Sequence, residues 1–369
     1  MLKISIDKLS ALYNAIAADK ELILPVRTAG VVDYASYTEG ADVAIDTLKT
    51  AKSPKNAFFP QFETLYNVNK KIIPVDASAE EGACEGAGVA LRSTLSVEMA
   101  PLVDKDFVIF GIKPCDVKGI EVLDNVFLAE PVDNFYKARR EHGILVAMAC
   151  NEPEESCFCS AFGIDAADPS KAKADVAVWM ADGNLYWKAI SEKGEALTES
   201  VKSVFEDSDE AAVDATKASI ETILAKLPNA NLSLDMWGKG VLDDRFYSPV
   251  WDEIFKPCLA CGTCTFVCPT CQCYDIKDYT TKDGIQRYRC WDSCMYSDFT
   301  MMAHGNNRNS QKERFRQRFM HKLSYYPDKN DGMFSCVGCG RCVDKCPQSL
   351  NIVKVIKAFE ASKDKEGQA

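Results

Sequence analysis

The sequence predicts an α+β fold in which an N-terminal mixed α/β domain, residues 1–245, precedes a mostly helical and cysteine-rich domain, residues 246–369. The length of 369 residues favours two or three domains rather than one. Strand and helix patterns follow one another through the first part of the chain. From Trp251 onward strand patterning fades, and twelve of the 17 cysteines lie between Cys258 and Cys346.

Five stretches carry the α/β assignment. Residues 6–19 have the spacing of a short amphipathic helix. Two continuous apolar runs, at 107–112 and 144–149, predict buried strands, and a helix is predicted after a turn that follows the first of them. A β-hairpin is predicted around the turn signal Asp182-Gly183. The Ala-, Glu- and Lys-rich stretch 195–226 predicts one or two surface helices.

Composition and charge narrow the function classes. The formal charge of −11 argues against nucleic-acid binding, which needs clustered Lys and Arg. No run of 18 or more apolar residues is present, and the N-terminus lacks the apolar core of a signal peptide. We therefore predict a cytoplasmic protein with no membrane partner. In that compartment so many cysteines indicate metal or redox chemistry rather than disulfides.

Two cysteine runs are the most specific feature of the sequence. Residues 258–269 read CLACGTCTFVCP and residues 336–347 read CVGCGRCVDKCP. Both match C-x₂-C-x₂-C-x₃-C-P, the run that binds 4Fe-4S clusters in bacterial ferredoxins. Structural zinc sites pair two C-x₂-C knuckles and need neither the third cysteine nor the Cys-Pro. The second domain is therefore predicted to be of ferredoxin type, with two 4Fe-4S clusters.

The ligands of these two clusters follow from the crossed pattern of two-cluster ferredoxins, in which the fourth cysteine of each run binds the other cluster. The first cluster is predicted to be bound by Cys258, Cys261, Cys264 and Cys346. The second is predicted to be bound by Cys336, Cys339, Cys342 and Cys268. Two clusters that share crossed ligands lie close together, and this arrangement suits electron transfer.

A third site is predicted in the first domain. Cys115 and Cys150 each follow one of the two buried strands, so both would emerge at the carboxyl edge of the sheet if the strands are parallel neighbours. Cys157 and Cys159 lie just beyond Cys150. Four thiols at one edge suit a third 4Fe-4S cluster, which we favour, while zinc and no metal remain as alternatives. Cys84 stands alone and is interpreted as a free thiol.

The segment between the two runs contains a basic amphipathic helix at 311–326. Its apolar side chains recur at every fourth position and are predicted to face inward: Phe315, Phe319 and Leu323. Its cations are predicted to point elsewhere: Arg314, Arg316, Arg318 and Lys322. We favour a packing helix whose cations offset cluster charge over a docking face for an acidic partner.

Four further cysteines lie in the same segment between the two runs: Cys271, Cys273, Cys290 and Cys294. They could be small buried hydrophobes, another metal site or a redox-active thiol pair. The sequence leaves these three interpretations open.

Several of these motifs, in this order, resemble one known family: GIKPCDVKGIEVLD, CNEPEESCFCSAFG, CGTCTFVCPTCQCYD, RCWDSC and CVGCGRCVDKCP, with SPKNAFFPQFETLYN nearer the N-terminus. It is the beta-subunit family of cytoplasmic sulfhydrogenase-type NiFe hydrogenases, which includes an iron–sulfur subunit of anaerobic sulfite reductase. The resemblance implies a non-catalytic electron-transfer subunit of an anaerobic oxidoreductase complex. Its partners would be a flavin- and NAD(P)H-binding subunit and a catalytic hydrogenase, sulfite reductase or similar subunit.

The resemblance also places iron–sulfur ligands at Cys115, Cys150, Cys157 and Cys159 and in both ferredoxin runs. No flavin or nucleotide is expected in this chain, because the glycine-rich segment 82–90 lacks G-x-G-x-x-G spacing. Two alternative functions remain. One is a reductase in its own right, with a site-differentiated cluster or dithiol built from Cys271, Cys273, Cys290 and Cys294. The other is a scaffold whose clusters only hold the fold.

Overall fold

The computed structural model describes residues 1–76 and 89–366, so Cys84 and most of the glycine-rich segment 82–90 lie outside the described residues. The chain forms two compact units. The first comprises Met1–Phe59, Val103–Gln272 and Ser293–Ala369, and the second comprises Pro60–Leu102 and Cys273–Asp292. Helices and sheets are both present, which confirms the α+β class. The predicted domain boundary at residue 245 falls inside the first unit and stays a prediction.

The strands of the described residues, in chain order, are β1 (Leu2–Ser5), β2 (Glu21–Thr28), β3 (Val31–Ser36), β4 (Phe62–Asp76), β5 (Val89–Met99), β6 (Phe107–Ile112), β7 (Gly143–Met148), β8 (Val176–Ala181), β9 (Asn184–Ala189), β10 (Glu206–Asp207), β11 (Tyr274–Thr281), β12 (Gly284–Trp291), β13 (Met301–Met302) and β14 (Gly305–Asn306).

The α-helices of the same residues are α1 (Leu9–Ala17), α2 (Pro114–Phe127), α3 (Asn134–His142), α4 (Glu192–Val201), α5 (Asp214–Ala225), α6 (Leu242–Phe246), α7 (Val250–Ile254), α8 (Thr263–Phe266), α9 (Gln311–Met320), α10 (Tyr326–Lys329), α11 (Arg341–Asp344) and α12 (Ile352–Glu366). None of them is long and apolar enough to cross a membrane.

The first unit is built around a sheet with the strand order β10-β1-β9-β8-β7-β6-β2-β3. Every residue of β6 and β7 is buried, as expected for central strands that are covered on both faces. These two strands pair in parallel, and this confirms the premise of the predicted sheet-edge site. The hairpin β8–β9 is confirmed as well. Asp182 and Gly183 in its turn both have positive φ, as a two-residue turn of this kind requires.

Apolar side chains from the helices cover this sheet. Leu12 of α1 and Leu197 of α4 share one buried cluster with Val146 of the sheet. Ile220 of α5 belongs to another buried cluster, which includes Trp179. The strands and the loops at their carboxyl ends are therefore held on a well-packed base.

The helix α2 begins earlier than the sequence predicts. A turn is predicted at residues 113–116, but the structure starts the helix at Pro114, whose fixed φ and missing N–H suit the first helical position. Cys115 therefore lies in the first turn of α2, directly after β6. This places its thiol at the carboxyl edge of the sheet.

The second unit is a sheet with the strand order β11-β12-β4-β5. The hairpin β11–β12 lies in the region where strand patterning was predicted to fade, so that detail of the prediction is wrong. Most of β11 is exposed, and polar residues occupy both of its faces, so its sequence lacks the apolar alternation of a half-buried strand. The pair Asp283-Gly284 at its turn was the sequence signal from which this hairpin could have been predicted.

Aromatic packing holds the helices of the C-terminal region of the first unit together. Phe359 of α12 contacts Trp237 and Trp251, with ring centroids 4.7 and 5.0 Å apart, respectively. Phe315 of α9 packs edge-on against Trp251. After α9 the chain continues through one π-helical stretch, His321–Tyr325, into α10. The packing of Phe315 against Trp251 therefore fixes which face of α9 is buried.

We predict that Phe110→Ala lowers the free energy of unfolding by about 3–5 kcal/mol, because Phe110 is fully buried and contacts Tyr13 and Trp187. Val31→Ala is the control. Val31 is 54% exposed on the edge strand β3, and its truncation is expected to change stability by no more than about 0.5 kcal/mol. Anaerobic denaturant unfolding measures both. Equal effects of the two substitutions would contradict the described core.

Candidate metal centres

Four cysteines of the two ferredoxin runs surround one cavity, called site 1 here: Cys258, Cys261, Cys264 and Cys346. The short helix α8 starts at Gly262, which has a φ of +73°. A Cβ at Gly262 would lie 2.6 Å from Tyr296 Oη, so the loop is as tight as its C-x₂-C-x₂-C spacing implies. Gln311 Nε2 lies 3.3 Å from Cys258 Sγ, close enough for its N–H to donate to the sulfur.

A second cavity, site 2, is surrounded by the other four cysteines of the runs: Cys268, Cys336, Cys339 and Cys342. Gly340, with a φ of +76°, starts the short helix α11 just as Gly262 starts α8. The last cysteine of each run thus lines the cavity of the other run, which is the crossed grouping that the sequence predicts. That these cysteines bind iron stays a prediction.

A third cavity, site 3, is lined by the four cysteines of the sheet edge: Cys115, Cys150, Cys157 and Cys159. Cys115 comes from the first turn of α2, and the other three come from the loop that follows β7. Parallel pairing of β6 and β7 brings the two segments to one edge. The structure therefore gathers all four residues proposed for this site.

The three cavities form a row. Cys339 lines both site 2 and site 3, and Arg318 lines both site 1 and site 2. The loop that carries Cys159 lies directly against the second ferredoxin run, since Phe158 N donates to Gly338 O at 2.8 Å. A Cβ at Gly338 would lie only 2.4 Å from Phe158 O. Glycine at this position is what allows sites 2 and 3 to be neighbours.

Cations surround the thiols of site 3. Arg341 makes a buried ion pair with Asp116, with nitrogen–oxygen distances of 2.6 and 2.7 Å, and also donates to Thr50. Lys49 pairs with Glu154 and Asp344, and both Lys49 and Arg341 line the cavity. Carboxylates balance both cations, so site 3 gains ion pairs rather than net positive charge. Burial raises the pKa of Cys115, Asp116 raises it further, and Arg341 lowers it by less.

Burial raises the pKa of several of these thiols. It raises the pKa of Cys157 to about 11, against the smaller lowering effect of Lys49. Burial likewise raises the pKa of Cys336 to about 12, although Lys322 lowers it. Such thiols are poor nucleophiles at neutral pH, and a bound metal is the usual means of keeping buried cysteines as thiolates.

Arg318 and Lys322 correct one prediction. They were expected to point away from the apolar face of the helix, but both are buried. Arg318 Nε donates to Cys264 Sγ at 3.0 Å, and Lys322 Nζ donates to Thr270 Oγ1 at 2.6 Å beside site 2. The signal was present, because Arg318 and Lys322 lie three residues after Phe315 and Phe319 and so share their side of the helix. Their position agrees with cations that offset cluster charge.

Lys55 is a buried cation that the sequence did not reveal. Its Nζ donates to the carbonyl oxygens of Cys268 and Cys271, at 3.1 and 2.8 Å. It therefore ties the turn after the first ferredoxin run to the N-terminal region. No spacing or motif around Lys55 indicates this contact.

The four further cysteines are divided between the two units. Cys271 and Cys294 belong to the first unit, and Cys273 and Cys290 belong to the second. Cys271 is next to Cys268, and hydrogen bonding between their side chains raises the pKa of Cys271 and lowers that of Cys268. Whether the four are buried hydrophobes, metal ligands or redox-active thiols stays open.

At least four thiols around each cavity, buried cations beside them and tight glycine turns fit cubane clusters. Within residues 1–76 and 89–366, no group of three or more His, Cys, Asp or Glu side chains is arranged to hold a single metal ion. Residues 257–350 match the family model described as a 4Fe-4S dicluster domain. Fold, cavities and match together define an iron–sulfur protein of electron transport.

The chain is 30% identical, over 335 residues and 90% of each chain, to sulfhydrogenase 2 subunit beta of Pyrococcus furiosus. It therefore belongs to the sulfhydrogenase beta-subunit family, which confirms the resemblance found in the sequence.

We predict that Gly338→Ala lowers the iron content through loss of iron from both site 2 and site 3. The new Cβ would collide with the backbone at Phe158 and Cys159. Gly163→Ala is a matched control. Gly163 also has a positive φ, +69°, but an added Cβ there meets nothing within 4 Å. Iron analysis of anaerobically purified protein compares the two. Equal iron in both variants would contradict the close approach of the two loops.

We further predict that Asp116→Asn destabilises the protein by about 3–5 kcal/mol, since it leaves the buried Arg341 without its carboxylate. Asp278→Asn is the control. It breaks an ion pair with Arg287 in which each side chain is 41% exposed, and it is expected to leave the denaturant midpoint close to that of the wild type. Denaturant midpoints measure both, and a small effect at Asp116 would show that the buried pair is not needed.

Proposed function

We propose that this chain is the electron-transfer subunit of an oxidoreductase complex and that it carries 4Fe-4S clusters in site 1, site 2 and site 3. The observation that carries the proposal is the row of three cavities, each lined by four predicted ligand cysteines of its own and each sharing a residue with the next. When bound, the clusters would supply one-electron redox chemistry. Short steps between neighbouring sites are what an electron-transfer chain needs.

The protein's own residues support this role by holding and insulating the sites. Phe158 is fully buried and lines site 2, while Phe315 and Phe319 are buried and line site 1. Apolar walls keep water from the sulfurs, and buried cations offset their negative charge. Each cavity also has four predicted ligand thiols of its own, a full set for a cubane, and Cys339 lines site 3 as a fifth. This favours a relay over a site that binds substrate.

One end of the row reaches the surface. Cys261 of site 1 is exposed, and Leu259 at its rim is 60% exposed. Cys150, Cys157 and Cys159 of site 3 are buried. We propose that site 1 exchanges electrons with a partner subunit at this edge.

The family supports a proposal about the partners. The relative is the beta subunit of a sulfhydrogenase. We propose that this chain likewise works in a hetero-oligomer, between a flavin- and NAD(P)H-binding subunit and a catalytic hydrogenase, sulfite reductase or similar subunit. By itself it would not be an enzyme. The cytoplasm, where thiols stay reduced, would be its compartment.

We predict about twelve irons and as many acid-labile sulfides per chain in anaerobically purified protein. The double substitution Cys157→Ser and Cys159→Ser is expected to remove about four of each, because it takes two of the four thiols from site 3. Cys84→Ser, at the thiol interpreted as free, is the control and should leave the iron content unchanged. About eight irons in the wild type would mean that the four cysteines of site 3 are zinc ligands or plain thiols.

The relay role has its own test. The isolated chain should become reduced by dithionite or reduced viologen but should turn over neither H₂ nor sulfite without a partner. Turnover by the chain alone would overturn the non-catalytic assignment and favour a reductase.

A further inference from the structure

Arg318 holds a position that no other described cation shares, because it lines site 1 and site 2 at once. Its side chain is 2% exposed. Nε donates to Cys264 Sγ at 3.0 Å, and Nη2 donates to Cys264 O at 2.9 Å. Two of the three guanidinium nitrogens are therefore committed to the first ferredoxin run.

The third nitrogen of the guanidinium is buried without a hydrogen-bond partner among the described residues. A buried charged group with an unsatisfied N–H is unfavourable unless something accepts from it. The two cavities that Arg318 lines are the spaces beside it in which an acceptor could bind. The sulfide or thiolate sulfur of a cluster in site 2 has the right chemistry.

Lys322 provides a contrast one helical turn further on. It is buried as well, but it lines site 2 only, and its Nζ donates to Thr270 Oγ1. Arg316, on the same helix, lines neither cavity. Its Nη1 donates to Phe246 O, and its Cζ lies 3.6 Å from the centroid of the Phe246 ring. Of these three cations, Arg318 lines both sites, Lys322 lines a single site and Arg316 lines neither.

We infer that Arg318 is a positioning residue shared by the two ferredoxin sites, which raises the reduction potentials of the clusters in both. The inference rests on the proposed function, because it requires clusters in site 1 and site 2. Adding an electron makes a cluster more negative, so a nearby fixed positive charge stabilises the reduced form. N–H donors to sulfur act in the same direction.

The experiment is an EPR-monitored redox titration of the purified chain. Arg318→Gln is expected to shift the reduction equilibria of two clusters at least tenfold towards the oxidised form, a drop of about 59 mV for each one-electron couple. Lys322→Gln should lower the potential of one cluster only. Arg316→Gln is the matched control and should leave all potentials as in the wild type.

The variant Arg318→Lys covers the case in which Arg318→Gln does not accumulate in loaded form. Its ammonium keeps the positive charge but cannot replace the guanidinium N–H groups at both cavities, so at least one potential should fall, by less than the shift expected for Arg318→Gln. Wild-type potentials at both sites in Arg318→Lys or Arg318→Gln, with full iron content, would overturn the inference. So would equal shifts in Arg318→Gln and Arg316→Gln.

Failure of the proposed function would be visible separately. If the wild-type chain lacked the iron of two clusters, or gave no EPR signals after reduction, the proposal that it binds clusters would be wrong. If the wild type gave normal signals and the variants had unshifted reduction potentials, only the role inferred for Arg318 would be wrong.

Discussion

The backbone contact between Phe158 and Gly338 is the constraint on which the rest of the structure depends. It joins the loop after β7, which carries three cysteines of site 3, to the second ferredoxin run, which carries three of site 2. A side chain at Gly338 would occupy the space of the Phe158 carbonyl. Because the two loops meet backbone to backbone, Cys339 can line both cavities. The α/β sheet and the ferredoxin motifs thereby form one continuous set of sites.

Charge is the second requirement of this arrangement. Three sets of four thiolates in a chain of net charge −11 would be strongly unfavourable without compensation. The protein places buried cations beside two of the cavities, Lys322 at site 2 and Arg318 between sites 1 and 2, whereas Lys49 and Arg341 at site 3 are paired with carboxylates. Lys322 and Arg318 are held by hydrogen bonds, so their positive charge is fixed in place. Such fixed charge both stabilises the folded site and raises the potential of whatever redox group occupies it.

Much of this could be predicted from the sequence because its strongest signals are local. The C-x₂-C-x₂-C-x₃-C-P runs, the apolar strands β6 and β7 and the Asp182-Gly183 turn are all short patterns with one structural meaning. The grouping of Cys115 with Cys157 needed one further assumption, the parallel pairing of two strands, and the structure supports it. What could not be predicted depends on contacts between distant segments. Lys55 reaches residues more than 200 positions away, and Asp116 pairs with Arg341 across a similar separation. The orientation of Arg318 could have been predicted from its position three residues after Phe315. The four-residue spacing of the phenylalanines alone did not indicate that Arg318 is buried.

The central claim, that three clusters lie in one row, is tested most directly by the EPR spectrum of the fully reduced chain. Paramagnetic clusters in neighbouring cavities broaden and split one another's signals. We expect about three spins per chain in a coupled spectrum, from which isolated, sharp signals emerge only when the middle site is lost through Cys336→Ser. A spectrum of non-interacting signals in the fully loaded wild-type protein would contradict the claim, because clusters that share Cys339 and Arg318 as wall residues cannot be magnetically isolated.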